Sequence, residues 1–103
     1  MAKVYKNQTS LRLNISCKDY SGTAIDISGY TTTVINVRYP GNSTTTWSAS
    51  VSDASSGSLY FNNFTTTTLK SVGKYYLQPE ITFSDDTTLK GSTYMLRVYD
   101  SYE

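Results

Sequence analysis

The chain has 103 residues, nine Lys and Arg against eight Asp and Glu, and a net charge near +1. That length suits a single domain around one core, and so flat a charge balance gives no electrostatic case for nucleic acid or an anionic membrane. Histidine is absent and cysteine occurs once, which excludes Ser-His-Asp and Cys-His catalysis, an internal disulfide and a cysteine metal site.

The remaining composition points to strands. Thr and Ser make up nearly a third of the chain, while Ala occurs four times and Glu twice. β-Branched side chains fit a pleated surface, and good helix formers are scarce. The 14 aromatics supply core volume that disordered chains lack. No run approaches the ~20 apolar residues of a membrane span. Met1 to Lys6 lacks the apolar stretch of a signal peptide, so a reducing cytosol is the expected folding compartment.

In chain order, residues 1–8 read as an N-terminal arm and 9–103 as one β-sandwich domain. Leu11, Leu13, Ile15 and Cys17 alternate with polar residues as a half-buried strand. Asp19 to Gly22 is a turn, and Ala24 to Ile27 a short extended piece. Tyr30 to Tyr39 places Ile35, Val37 and Tyr39 on one face, and Thr45 to Ser52 keeps Trp47, Ala49 and Val51 in phase. Leu59 and Phe61 alternate with Tyr60, and the polar stretch from Asn62 to Ser71 carries Phe64 and Leu69 as plugs over the core. Gly73 opens the best strand: Tyr75, Leu77, Pro79, Ile81 and Phe83 face one way, Tyr76, Gln78 and Glu80 the other. Pro79 cannot donate to a ladder, so it calls for an edge position or a bulge. After a turn at Ser84 to Thr87, Leu89 and then Thr93 to Tyr99 form the last strand, with Tyr94, Leu96 and Val98 inward. Seven to nine short strands with regularly spaced turns predict an all-β, immunoglobulin-like antiparallel β-sandwich. Its expected core holds Leu13, Ile15, Trp47, Leu59, Tyr75, Leu77, Ile81, Leu96 and Val98.

No catalytic site, metal or cofactor is expected. Cys17 shares its face with Leu and Ile and reads as a small buried hydrophobe. Asp19, Asp26, Asp53, Asp85 and Asp86 sit in turns or at strand edges, where turn chemistry accounts for them. Asp85 and Asp86 could join a further carboxylate around Ca2+, but a solvated hairpin turn explains them more simply. The candidate contact residues are two solvent-side stripes: Tyr76, Gln78 and Glu80, and Met95, Arg97 and Tyr99. Tyr and Arg are enriched at interface hot spots, and Met packs adaptably. The stripes are expected to share a face and, with the arm from Ala2 to Lys6, to dock onto another protein.

Two patterns carry a resemblance. Gly73-Lys74-Tyr75-Tyr76-Leu77 resembles the tyrosine corner of immunoglobulin-like domains, with Leu77 in place of the cysteine. The longer series begins with Leu11 to Ile15 and Ala24 to Tyr30. It continues with Val37 to Gly41, Gly57 to Tyr60, Gly73 to Leu77 and Leu96 to Val98. It resembles the N-terminal domain of phage baseplate upper proteins and related tail and head-fibre proteins. The resemblance implies a non-enzymatic bacteriophage virion protein, assembled in the host cytoplasm, that decorates the particle or anchors an appendage. Its implied partners are capsid, tail or fibre subunits, with self-association also open. Relatives carry further domains, so a chain ending at Glu103 is expected to be a decoration or adaptor subunit. The alternative is a carbohydrate-binding module whose Tyr or Trp rings stack on host glycans. A secreted cell-surface domain is a third reading, suggested by sequons at Asn7, Asn14, Asn42 and Asn63.

Overall fold

The computed structural model describes residues 3–100. Its strands are β1 (Val4–Tyr5), β2 (Leu13–Ser16), β3 (Tyr30–Arg38), β4 (Thr44–Ser48), β5 (Ser50–Asp53), β6 (Ser58–Phe61), β7 (Gly73–Phe83), β8 (Thr88–Lys90) and β9 (Tyr94–Tyr99). No helix occurs among the described residues. The larger sheet has the order β1-β9-β7-β3-β4, with β8 also on β7, and the smaller sheet has the order β2-β6-β5. This is the expected all-β sandwich. Every strand pairing is antiparallel except that of β1 with β9, which is parallel.

Alternation builds the core. Ile35 and Val37 of β3, Trp47 of β4, Tyr75, Leu77 and Ile81 of β7, and Val98 of β9 are buried against Ile15, Leu59 and Phe61 of the smaller sheet. Leu13 and Leu96 are half-buried at its margin. Trp47 stacks on Phe61 across the two sheets at 4.9 Å, and Phe64 meets both rings edge-on. Such pairs add about 0.5–1.5 kcal/mol each beyond their burial. Phe64 and Leu69 plug the core from the loop, as their isolation in a polar stretch predicts. Cys17 is fully buried, and burial pushes its thiol pKa up.

Two local expectations are corrected. The run from Thr45 to Ser52 is not one strand: β4 pairs with β3, the chain crosses at Ala49, and β5 joins β6 in the other sheet. Thr33 fixes the crossing, accepting from the Ala49 N–H and donating its hydroxyl to the Ala49 carbonyl at 2.7 Å. Residues 3–8, read as an N-terminal arm, lie along the sandwich. Val4 packs on the core, Tyr5 lies against Tyr99, and the Lys6 N–H reaches the Tyr99 carbonyl. Residues 1–2 of the arm and 101–103 of the domain lie outside the described residues. Pro79 is neither at an edge nor bulged. It sits in central β7 opposite Ile35, where the pairing with β9 has ended at Leu77 and that with β8 begins at Glu80. Its carbonyl accepts from the Gly91 N–H, so its missing N–H faces the same break and no ladder bond is lost.

The tyrosine corner forms as the motif suggests. The Tyr75 hydroxyl donates to the Ser71 carbonyl at 2.8 Å and accepts from the Ser71 N–H at 3.1 Å. Tyr75→Phe removes both partners from a buried backbone pair and is expected to cost about 1–3 kcal/mol. Thermal unfolding should show a loss of roughly 5–15 °C, and a melt within two degrees or so of wild type would contradict the corner's role. Gly91 tests the break in the ladder. A Cβ there would stand 2.9 Å from both Cys17 Sγ and Pro79 Cγ, so Gly91→Ala should cost about 1–3 kcal/mol by overpacking. An unchanged denaturation midpoint would show that the site relaxes freely.

Candidate functional site

The side chains of the larger sheet that do not enter the core form one outer face. Register places Tyr76 between Arg38 and Met95, Lys74 opposite Arg97, and Gln78 opposite Asn36. All six residues singled out from the sequence lie on this face, but they are not alike. Tyr76, Met95 and Arg97 are exposed, Met95 by 53%. Gln78, Glu80 and Tyr99 are half-buried because each is already engaged. Gln78 Nε2 donates to the Gly91 carbonyl, and Glu80 accepts from Asn36 Nδ2 and pairs with Lys90 Nζ at 3.7 Å. Tyr99, expected to be exposed, lies under Lys3 and Arg97 and against Tyr5.

Between β4 and β8 the face dips into an open groove of roughly 680 Å3, lined by Asn36, Arg38, Thr46, Tyr76, Gln78 and Glu80, among others. Arg38 lies over the Tyr76 ring at 4.8 Å, and Arg97 over Tyr99 at 5.2 Å. Each contact contributes about 0.5–1 kcal/mol at an exposed site and holds the guanidinium over the ring. The sequence reading missed Arg38 and Lys74. Both are on the outward phase of their strands; Arg38 reaches Tyr76 because β3 and β7 are long-range neighbours, which no local pattern reveals, whereas Lys74 lies two residues before Tyr76 and was open to the same alternation.

The carboxylates are occupied elsewhere. At Asp19, Asp26, Asp53 and Asp85, four of the five Asp-x-Ser/Thr sites in the sequence, Oδ1 accepts from the N–H and hydroxyl of the residue two positions on. These hydrogen bonds, the side-chain hydroxyl first, hold all four carboxyls below the usual range. Among the described residues no three His, Cys, Asp or Glu come together as a metal site.

No protein-family model matches the chain, and no curated protein matches it. Among solved structures it is similar to CopC from Methylosinus trichosporium OB3b, with 13% identity over the whole of this chain and 89% of that one, at a TM-score of 0.54. At that identity the likeness establishes the β-sandwich fold alone. The expectation of a bacteriophage virion protein is corrected here: a solved structure that this chain resembles is CopC, not a phage structural protein. One motif behind that expectation, Gly73 to Leu77, forms a tyrosine corner, a feature of the sandwich fold itself.

The Asp turns predict an acid response. A carboxyl whose folded pKa lies below its unfolded value of about 3.9 contributes stability that is complete above that value. The contribution is lost as pH falls through the lower, folded value. The urea midpoint should therefore be level from pH 7 to about 5 and fall between about 4 and 2. A midpoint unchanged at pH 2 would mean the turns are formed equally well in the unfolded chain.

Proposed function

We propose that this domain is a non-catalytic interaction module that takes a protein partner on the outer face of the larger sheet. The observation that carries the reading is the exposed Tyr76 and Met95 at the face's centre, flanked by two guanidinium groups already seated over tyrosine rings. Aromatic and Arg side chains with few rotamers left to lose are the usual anchors of interfaces. The groove is open and shallow rather than a closed pocket, which suits surface contact better than turnover of a small substrate. The carboxylates that might have served as acid and base each hold a turn instead.

Site-specific photo-crosslinking tests this. A photoreactive phenylalanine derivative at position 95 should yield a defined adduct in an extract of cells that make the protein. The same group at Asn14, on the outer side of the smaller sheet, should yield none. Tyr76→Ala should abolish the position-95 adduct while melting within a few degrees of wild type, because Tyr76 is exposed. Adducts of equal yield from both positions would overturn the assignment of the face.

A further inference from the structure

The near-zero net charge conceals a separation of charge along the molecule. Around the start of β7 lie Lys3 and Arg97 on Tyr99, Lys74 opposite Arg97, Arg38 on Tyr76, Lys70 over Tyr39, and Lys6, whose backbone bonds Tyr99. These are six of the nine cations. Asp100 also lies there, paired with Lys6 at 3.6 Å. At the far end of β7 the turn after Phe83 carries Asp85 and Asp86. Phe83 pairs with Tyr30, whose N–H bonds Ile27, and Ile27 bonds Ala54. That chain of contacts brings Asp26 and Asp53 to the same end. All four Asp residues there are exposed.

The two ends are separated by the length of β7, 11 residues or roughly 33 Å at ~3.3 Å per residue. The Debye length at physiological ionic strength is about 8 Å, so the clusters do not neutralise each other within one molecule. Lys74 and Arg97 are moreover a like-charge cross-strand pair, an arrangement that costs stability in the isolated sheet. Among the described residues neither has an ion-pair partner. An acidic surface brought against them would relieve that repulsion.

We infer that the partner is a second copy of this chain, associating head to tail, with the cationic end of the sheet face of one molecule against the Asp85–Asp86 turn of the next. This rests on the reading of the outer face as the interaction surface, and it names the occupant by charge complementarity. Because the two contacting surfaces differ, the interface is heterologous, and association propagates into rings or open chains rather than stopping at a two-fold dimer.

Sedimentation velocity on the full chain tests it. At 20 mM NaCl and pH 7 the mean sedimentation coefficient should rise continuously with concentration. Raising NaCl to 300 mM should weaken association by about tenfold or more. The double variant Lys74→Glu/Arg97→Glu should be monomeric. So should the triple variant Ser84→Lys/Asp86→Asn/Thr88→Lys, which keeps the Asp85 turn and an Asn at the left-handed position 86. Mixing the two should restore association, since each then offers the other a complementary end. Thermal melts confirm that both are folded. If the double variant fails to fold, Lys74→Gln with Arg97→Gln, which leaves no charge to repel, should show a flatter salt dependence than wild type. A wild type that stays monomeric at low salt, a species that stops at a dimer, or a mixture of variants that stays monomeric would overturn the inference. So would a monomer that binds polyglutamate or a neutral glycan on this face, since the occupant would then be another molecule. A monomeric wild type that still gives the position-95 adduct defeats self-association while leaving the outer face as the interaction surface.

Discussion

A central strand has to hydrogen-bond on both sides, and Pro79 in the middle of β7 has no N–H to give. The arrangement of the larger sheet follows from how that conflict is resolved. Residues 75, 77, 79 and 81 direct their backbone groups away from β3, toward β9 and β8. The partner on that side is split in two, and the gap falls opposite Pro79. Gly91 lies in the gap because any side chain there would strike Pro79 and Cys17. The segment after it turns inward. Ser92 bonds the carbonyls of Lys18 and Asp19, and the Tyr94 hydroxyl donates to the Ser16 carbonyl at 2.6 Å. The smaller sheet is thus tied to the larger through the same break that accommodates the proline. On the outer side the break exposes the Gly91 carbonyl that holds Gln78 and places Lys90 beside Glu80. The groove beside Tyr76 is a consequence of the proline as much as of the residues that line it.

The corner at Tyr75 secures the other half of β7. It anchors the loop that carries Phe64 and Leu69, and Tyr39 meets the Tyr75 ring edge-on at 5.3 Å. With the inward phase of β7 committed to the core and the corner, the outward phase is left to carry the proposed contact residues. A sheet with one buried and one solvated face allows that division because adjacent residues point to opposite sides. The stability of the domain and its capacity for contact are therefore encoded in alternate residues of the same strand.

Features set by local pattern were legible in the sequence. Alternation from Gly73 to Phe83 located β7 and both its faces, Trp47 read as core, and Phe64 and Leu69 stood out as apolar residues in a polar loop. Features set by strand partners were not. Thr45 to Ser52 keeps its period through Ala49, so nothing local marks the point where the chain changes sheets. Val4 and Tyr5 are too few to register as a strand, and only the edge of β9 makes them one. Arg38 was visible as an outward residue, but its place on Tyr76 depends on β3 and β7 being neighbours. The Asp-x-Ser/Thr repeats were read as turns one at a time; their recurrence, which accounts for four of the six Asp residues, was overlooked.

Charge shows how composition can mislead. A balance of nine cations and eight anions argues against charged partners only if the charges are mixed on the scale over which they act. Here turn chemistry draws Asp to the loops at one end, because its side chain caps the backbone two residues on. At the other end, several of the cations lie over tyrosine rings along their long stems. Two unrelated local preferences thereby sort opposite charges to opposite ends of a molecule 45 Å long. At several Debye lengths, an approaching surface meets one end or the other and never the average. On the reading proposed here, the partner is selected by the charge of the end it meets, and the net charge of the chain carries no information about it.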